Sequence, residues 1–381
     1  MPARIGINGF GRIGRLVLRA AFQDEGRDCT VVAVNDPMLD AAQAAFLAAH
    51  DSVHGPFPGS VEVDGNSLVV NGKQRVSFFT ELNPSKVPWA SAQVDIVVEC
   101  SGKFLNTESA AGHLTGGGRD DAAPRTVVLS APAKDEETPT LVMGVNHKTY
   151  EPGRHRVVSN ASCTTNCLAP LVKVLDDAFG VETGLMCTIH AVTASQQVVD
   201  SPSKKSWRSG RCALSNIVPA TTGAAVAVTK VLPSLKGKLT GSAYRVPVAD
   251  VSLVDLVVRT RKPMSMQLLA DAMRAAAGDG PLNGLLQVVD QPLVSSDFIG
   301  SPASAVVDLG ACMVLEGDPH TAKVCAWYDN EWGYSCRMLD LAAYIHTQAA
   351  QRHASLATLG TVPRIAAARG SAREVAAQET K

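Results

Sequence analysis

Two hydrophobic periods follow one another in the first 35 residues. Ala3–Asn8 is a short apolar run, GFGRIGR follows, and apolar residues return at Leu16, Val17, Ala20 and Ala21 with the spacing of a helix face. Residues 29–35 (CTVVAVN) are apolar without alternation, as expected of a strand buried on both faces of a parallel sheet. Similar runs predict strands at 94–99, 126–130 and 141–143, with helices at 40–50 and 107–115. Strands and helices in alternation predict an α/β unit built on a doubly wound parallel sheet.

The pattern changes near Ser159. Residues 163–180 are helical in spacing, and longer strand candidates follow at 184–193, 239–247 and 251–260. A helix at 265–277 and strands at 304–315 and 322–328 come next, and 337–347 is helical again. Longer strands with fewer crossover helices predict an α+β unit with a mixed or antiparallel sheet. Residues 194–216, rich in Ser, Gln, Lys and Arg, lack periodicity and read as a long functional or interfacial loop. The expected division is a first unit at 1–161, completed by a returning helix at 329–347, a second unit at 162–328, and a tail at 348–381 that frays at its end.

The chain has 381 residues, 46% apolar and 19% charged, enough for two cores and too apolar for wholesale disorder. Lys plus Arg is 35 and Asp plus Glu is 36, so electrostatics favour neither nucleic acid nor an anionic membrane as partner. No apolar run reaches the roughly 18 residues of a membrane span. The N-terminal MPARIGINGFGRIGR lacks the apolar stretch of a signal peptide. Nine cysteines, an odd and sparse number, read as reduced thiols. With no peroxisomal or glycosomal tripeptide at the end, the expected location is cytoplasmic.

Gly9, Gly11 and Gly14 spell GxGxxG between a strand and a helix, as in a Rossmann-type dinucleotide-binding unit. Gly9 allows the tight turn, Gly11 a close approach of backbone to pyrophosphate, and Gly14 close packing of helix on strand. Arg12 and Ile13 complete the candidate cofactor loop at the helix N-terminus, where an anion is favoured. Asp36, 22 positions beyond Gly14 at the end of the second strand, suits a ribose 2′-hydroxyl and repels a 2′-phosphate, which favours NAD over NADP.

In SNASCTTNC, Cys163 sits where an irregular polar segment becomes a helix, a place that favours a thiolate and lowers a thiol pKa. A thiolate attacks an aldehyde or acyl carbon. Cys167 lies one turn on, but no further Cys or His doublet completes a metal site, and none is expected. Any of nine histidines could be the base; His190 ends a strand-like run, where catalytic groups of α/β folds collect.

GINGFGRIGR, VNDP, SNASCTTNCLAP, IHAVTASQ, PATTGAA, GKLTG, RVPVADVSLVDL and WYDNEWGYS resemble, in order and spacing, the phosphorylating glyceraldehyde-3-phosphate dehydrogenases over residues 3–347. The resemblance implies NAD-dependent oxidation and phosphorylation of D-glyceraldehyde 3-phosphate through a cysteine thioester, by a homotetramer. It implies Cys163 as nucleophile and His190 as its partner. Thr193 and Arg245 would hold the substrate phosphate, and Ser162, Thr164, Thr222 and Gly223 the attacking phosphate, with Arg208 or Arg211 assisting. Asn330 would hold the nicotinamide carboxamide, Tyr334 would pack beside the ring, and Ser101, Gly102 and Ser130 would approach the cofactor. Residues 194–216 would lie between subunits, and Pro202 stands where NAD-specific members keep proline. Val226, Pro56, an insertion at 115–124 and the tail depart from the family pattern. Two rivals remain: oxidation of erythrose 4-phosphate with hydrolysis of the thioester, and a non-catalytic protein that retains the fold. The intact PATTGAA segment argues against the first, and the complete set of Cys163, His190, Arg245 and Asn330 against the second.

Overall fold

A computed structural model describes residues 1–23, 26–115, 124–204 and 206–359. The central part of the expected 115–124 insertion and the end of the tail, 360–381, lie outside the described residues.

The first sheet has eight strands: β1 Ala3–Asn8, β2 Cys29–Asn35, β3 Val61–Val63, β4 Ser67–Val70, β5 Gln74–Phe79, β6 Ile96–Glu99, β7 Thr126–Leu129 and β8 Val157–Ser159. Their spatial order is β3-β4-β5-β2-β1-β6-β7-β8. The run from β5 to β8 is parallel, and β3 and β4 form an antiparallel edge. This is the doubly wound α/β arrangement, whose strand order reverses about β1. Helix α1 (Arg12–Gln23) follows β1, α2 (Ala41–Ala49) follows β2, and the short α3 (Thr107–Ala110) follows β6. Asp40 caps α2 by accepting the Gln43 N–H.

The second region opens with helix α4 (Cys163–Phe179) and holds eight strands. These are β9 Val181–His190, β10 Val218–Thr221, β11 Leu239–Arg245, β12 Ser252–Thr260, β13 Leu286–Val289, β14 Ala305–Asp308, β15 Met313–Leu315 and β16 Asp318–Tyr328. The order is β10-β11-β9-β12-β16-β14-β13, with β15 on β16. Only β9–β11 and β13–β14 are parallel, so the sheet is mixed, as an α+β unit predicts. Helices α4, α5 (Ala224–Val231) and α6 (Met266–Gly278) cover one face and share a core with Val254, Leu256 and Val324. The final helix, α7 (Trp332–Leu359), returns to the first sheet, where Met338, Leu339, Leu341 and Ile345 pack with Ile5, Ile7 and Val31.

Two sequence expectations fail locally. Residues 141–143 form no strand. Asn146 Oδ1 accepts the Val142 N–H and its Nδ2 donates to Thr140 O, so a turn replaces the ladder and only Thr140 bridges to Ser159. The run 304–315 breaks into β14 and β15, because Asp308 Oδ1 accepts the Ala311 N–H and turns the chain. Residues 348–359 continue α7, and the end of the tail, where fraying is expected, lies outside the described residues.

Candidate active site

The start of α4 is fixed by its flanks. Ser162 is extended, and its Oγ accepts the Thr165 N–H at 3.0 Å as an N-cap. Ala161 before it sits at φ 57, a left-handed conformation that L-residues adopt at a cost of about 1–3 kcal/mol. The Tyr334 hydroxyl donates to the Ala161 carbonyl at 2.9 Å and helps to hold that turn. Cys163 stays half-buried while Thr164 to Leu175 are mostly sealed in the core.

His190 is the last residue of β9. Parallel pairing of β9 with β11 sets Arg245 directly beside it. His190 Nε2 lies 3.6 Å from Cys163 Sγ, so sequence positions 27 apart converge on one point. On the other side of the ring, Nδ1 is 2.8 Å from the Ala191 carbonyl and 2.6 Å from Arg245 Nη1. A guanidinium only donates, so Nδ1 presents its lone pair and the ring proton sits on Nε2, facing sulfur. Burial and the Arg245 charge pull His190 down to about 4, which keeps the imidazole neutral.

The thiol departs from its expected depressed pKa. Burial pushes Cys163 up, against the downward pull of the Thr164 hydroxyl, the Arg245 charge and the amides at the helix start. The helix N-terminus acts with the expected sign, but desolvation outweighs it, and the proton rests on sulfur in this form. Tyr328 lies beneath the pair. Its hydroxyl joins Thr164 Oγ1 at 2.9 Å and Thr188 Oγ1 at 2.8 Å, and its ring meets His190 edge-on. Thr164 is therefore buried, with its hydroxyl turned to Tyr328.

Arg245 also lines a cavity of about 470 Å³ with Arg208, Arg211, Ser195, Gln196 and Thr221. Three arginines around one space suit an anion such as phosphate. Thr193 and Thr222 stand next to this lining: Thr193 Oγ1 is 3.1 Å from Ser195 Oγ, and Thr222 Oγ1 accepts the Ala224 N–H after Gly223, the residue before α5.

The second cleft is the glycine loop. Gly9 has φ 89, and a Cβ there would meet Ser101 N at 2.5 Å. A Cβ on Gly14 would meet Gly9 O at 2.1 Å, so α1 could not seat so closely on its strand. A Cβ on Gly11 would meet nothing, since it projects into open space. The first amides of α1, at Arg12 and Ile13, have no intrahelical acceptor. Open space at Gly11 beside unpaired helix amides fits the pyrophosphate of NAD. A cavity of about 190 Å³ is lined there by Asn8, Gly9, Gly11, Asp36, Met38 and Ser101. Asp36 shapes it by accepting the Phe10 and Met38 amides at 2.7 and 2.8 Å. The Arg12 side chain turns away to Asp51 and Glu331, leaving its backbone as the part suited to an anion. Ser101 and Ser130 are half-buried at the ends of β6 and β7, with the Ser101 hydroxyl donating to Glu99 at 2.5 Å.

Residues 162–330 match the family model for the glyceraldehyde 3-phosphate dehydrogenase C-terminal domain, and residues 3–107 that for its NAD binding domain. The chain is 50% identical to glyceraldehyde-3-phosphate dehydrogenase 1 of Caenorhabditis elegans over 350 residues, 91% of this chain and 99% of the relative. It is also 50% identical to glyceraldehyde-3-phosphate dehydrogenase B of Aspergillus oryzae over 345 residues, covering 91% and 98%. A cytosolic glyceraldehyde-3-phosphate dehydrogenase of Chlamydomonas reinhardtii is 49% identical over 347 residues, with the same coverage. The chain belongs to the glyceraldehyde 3-phosphate dehydrogenase family.

The glyceraldehyde 3-phosphate dehydrogenase C-terminal match begins at Ser162, the cap of α4, and ends at Asn330. Asn330 is 5% exposed, and its Oδ1 accepts from the Ser252 hydroxyl at 2.6 Å. Tyr328 and Ser252 stand at the site without having been singled out in the sequence. Both lie inside motifs of the resemblance, WYDNEWGYS and RVPVADVSLVDL, and that position is the one signal that could have found them.

Proposed function

We propose that this chain oxidises D-glyceraldehyde 3-phosphate to 1,3-bisphosphoglycerate, with Cys163 as nucleophile and His190 as proton carrier. The single observation that carries the reading is the thiol 3.6 Å from an imidazole whose other nitrogen is shared with a phosphate-suited arginine. The substrate's phosphate draws Arg245 away from His190. The neutral ring then changes tautomer by proton exchange with solvent, Nε2 losing its proton and Nδ1 gaining one, so that Nδ1–H donates to the Ala191 carbonyl, already 2.8 Å away, and Nε2 becomes an acceptor for the thiol proton. The thiolate attacks the aldehyde carbon, and the imidazolium passes its proton to the resulting oxyanion, giving the hemithioacetal hydroxyl and a neutral imidazole. NAD, when bound, supplies the hydride acceptor. His190 removes the hydroxyl proton of the hemithioacetal, and Cys163 is left as a thioester. A phosphate oxygen attacks the thioester carbon, and the Cys163 thiolate leaves.

In this reading Thr193 assists Arg245, and Ser162, Thr164, Thr222 and Gly223 border the second phosphate position. Gly9, Gly11, Arg12, Ile13, Gly14, Asp36, Ser101 and Ser130 surround the dinucleotide, with Tyr334 and Asn330 at its nicotinamide end. Residues 1–161 with 329–347 form the dinucleotide unit and 162–328 the catalytic unit. Exposed apolar side chains support a homotetramer: Leu185 and Val257 on the outer face of the second sheet, Trp207 and Val199 on the long loop, and Ile217 just after it. No helix among the described residues is long and apolar enough to cross a membrane, and a cytoplasmic location follows the cytosolic relative.

The test is NADH formation from glyceraldehyde 3-phosphate with and without inorganic phosphate. Strict dependence on phosphate is expected. Turnover that ignores phosphate, or prefers erythrose 4-phosphate, would overturn the reading. Light scattering checks the tetramer.

A further inference from the structure

Ser252 opens β12 and is 1% exposed, beneath the point where the two halves of the site meet. Its Oγ accepts the Ala191 N–H at 3.1 Å, immediately after His190. The same oxygen is 2.6 Å from Asn330 Oδ1. A hydroxyl has one proton. With an amide already donating to it, that proton is free for Asn330, and the contact is O–H···Oδ1. The alternative, with the Asn330 amide flipped, would bring Nδ2 to Ser252 and leave a buried hydroxyl proton without its acceptor, a costly arrangement. The relay Ala191 N–H to Ser252 O–H to Asn330 Oδ1 therefore locks the amide in one sense. The Nδ2 donors are left unspent, since no hydrogen bond from them occurs among the described residues.

We infer that Ser252 is a positioning residue that fixes the Asn330 amide with its N–H groups turned to the cofactor's carboxamide. The inference rests on the proposed role of Asn330. Ser252 itself touches no reacting atom. Its effect runs through one hydrogen bond, and it also ties the end of the His190 strand to the nicotinamide end of the cleft.

Calorimetric titration with NAD and with ADP-ribose tests this, because ADP-ribose lacks the nicotinamide. Ser252→Ala should weaken NAD about 5-fold, the size of one neutral hydrogen bond, and leave ADP-ribose unchanged. Ser252→Cys, close in size and a poorer donor, should shift NAD in the same direction and covers the case in which the alanine variant folds badly. Asn330→Ala should also weaken NAD, and adding Ser252→Ala to it should have no further effect, since both act through one contact. Equal weakening of both ligands by Ser252→Ala, or additive effects in the double variant, would overturn the inference. If Asn330→Ala binds NAD normally, the reading of Asn330 is what fails. If it weakens NAD while both Ser252 variants bind normally, the role of Ser252 alone is refuted.

Discussion

His113 and His190 are almost equally enclosed, 0% and 5% exposed, yet their ring nitrogens are used in opposite ways. Trp89 Nε1–H donates to His113 Nδ1 at 3.1 Å, so Nε2 carries the proton and donates to Glu99 at 2.9 Å. Glu99 also accepts from Asn8 Nδ2 and from the amide and hydroxyl of Ser101. Each of these groups has its partner, and the network stiffens the floor of the dinucleotide cleft. At His190 an arginine and a carbonyl compete for Nδ1, and Nε2 faces a thiol. Burial is common to both. What separates a structural histidine from a chemical one is a ring nitrogen offered two partners of opposite kind, an arginine that donates and a carbonyl that accepts.

The largest expected effect is at the sulfur. Cys163→Ser should lower the NADH burst on the order of 10⁴-fold, because a hydroxyl is far less acidic than a thiol. A near-normal burst in stopped flow would break the comparison at its root. His190→Gln should reduce kcat by about 10³-fold and leave NAD affinity unchanged, as titration with NAD would show.

Stability against pH sharpens the contrast. His190 falls to about 4 in the folded chain, while an unfolded histidine titrates near about 6.5. Between those values the unfolded chain binds the extra proton, so stability is full above about 6.5 and declines as the pH falls toward 4. The loss amounts to at most about 3 kcal/mol, and His190→Gln should remove it from the difference curve. Identical pH profiles for the two proteins in chemical denaturation would contradict the assignment. His113→Leu should cost about 2 kcal/mol, from the stranded Trp89 and Glu99 groups, while kcat per folded molecule stays within about twofold. A large fall in kcat at unchanged stability would make His113 chemical after all. The smallest effect is expected at Asp36. Asp36→Asn should reduce the preference for NAD over NADP about tenfold, read from the ratio of kcat/KM values.

The glycine loop was legible because its requirements are local. A positive φ at Gly9 and a close approach at Gly14 act within one strand–turn–helix unit. The start of α4 was legible for the same reason, since Ser162 caps three residues ahead. The 141–143 run misled because Leu141 and Val142 are buried like strand residues, while Asn146 takes their backbone partners. Val157–Ser159, only three residues long, was too short to stand out. The roles of Ser252 and Tyr328 could not be read, because each acts through partners far along the chain, 78 residues away at Asn330 and 164 at Thr164.

The sequence alone determined which groups are present and how each begins: a phosphate-suited turn, an acid after the second strand, and a thiol at a helix start. Tertiary structure alone decided where the protons rest. Strand register places Arg245 against His190, and burial outweighs the helix N-terminus at Cys163. Desolvation and charge depend on neighbours brought together in space, and such neighbours leave no local spacing to read.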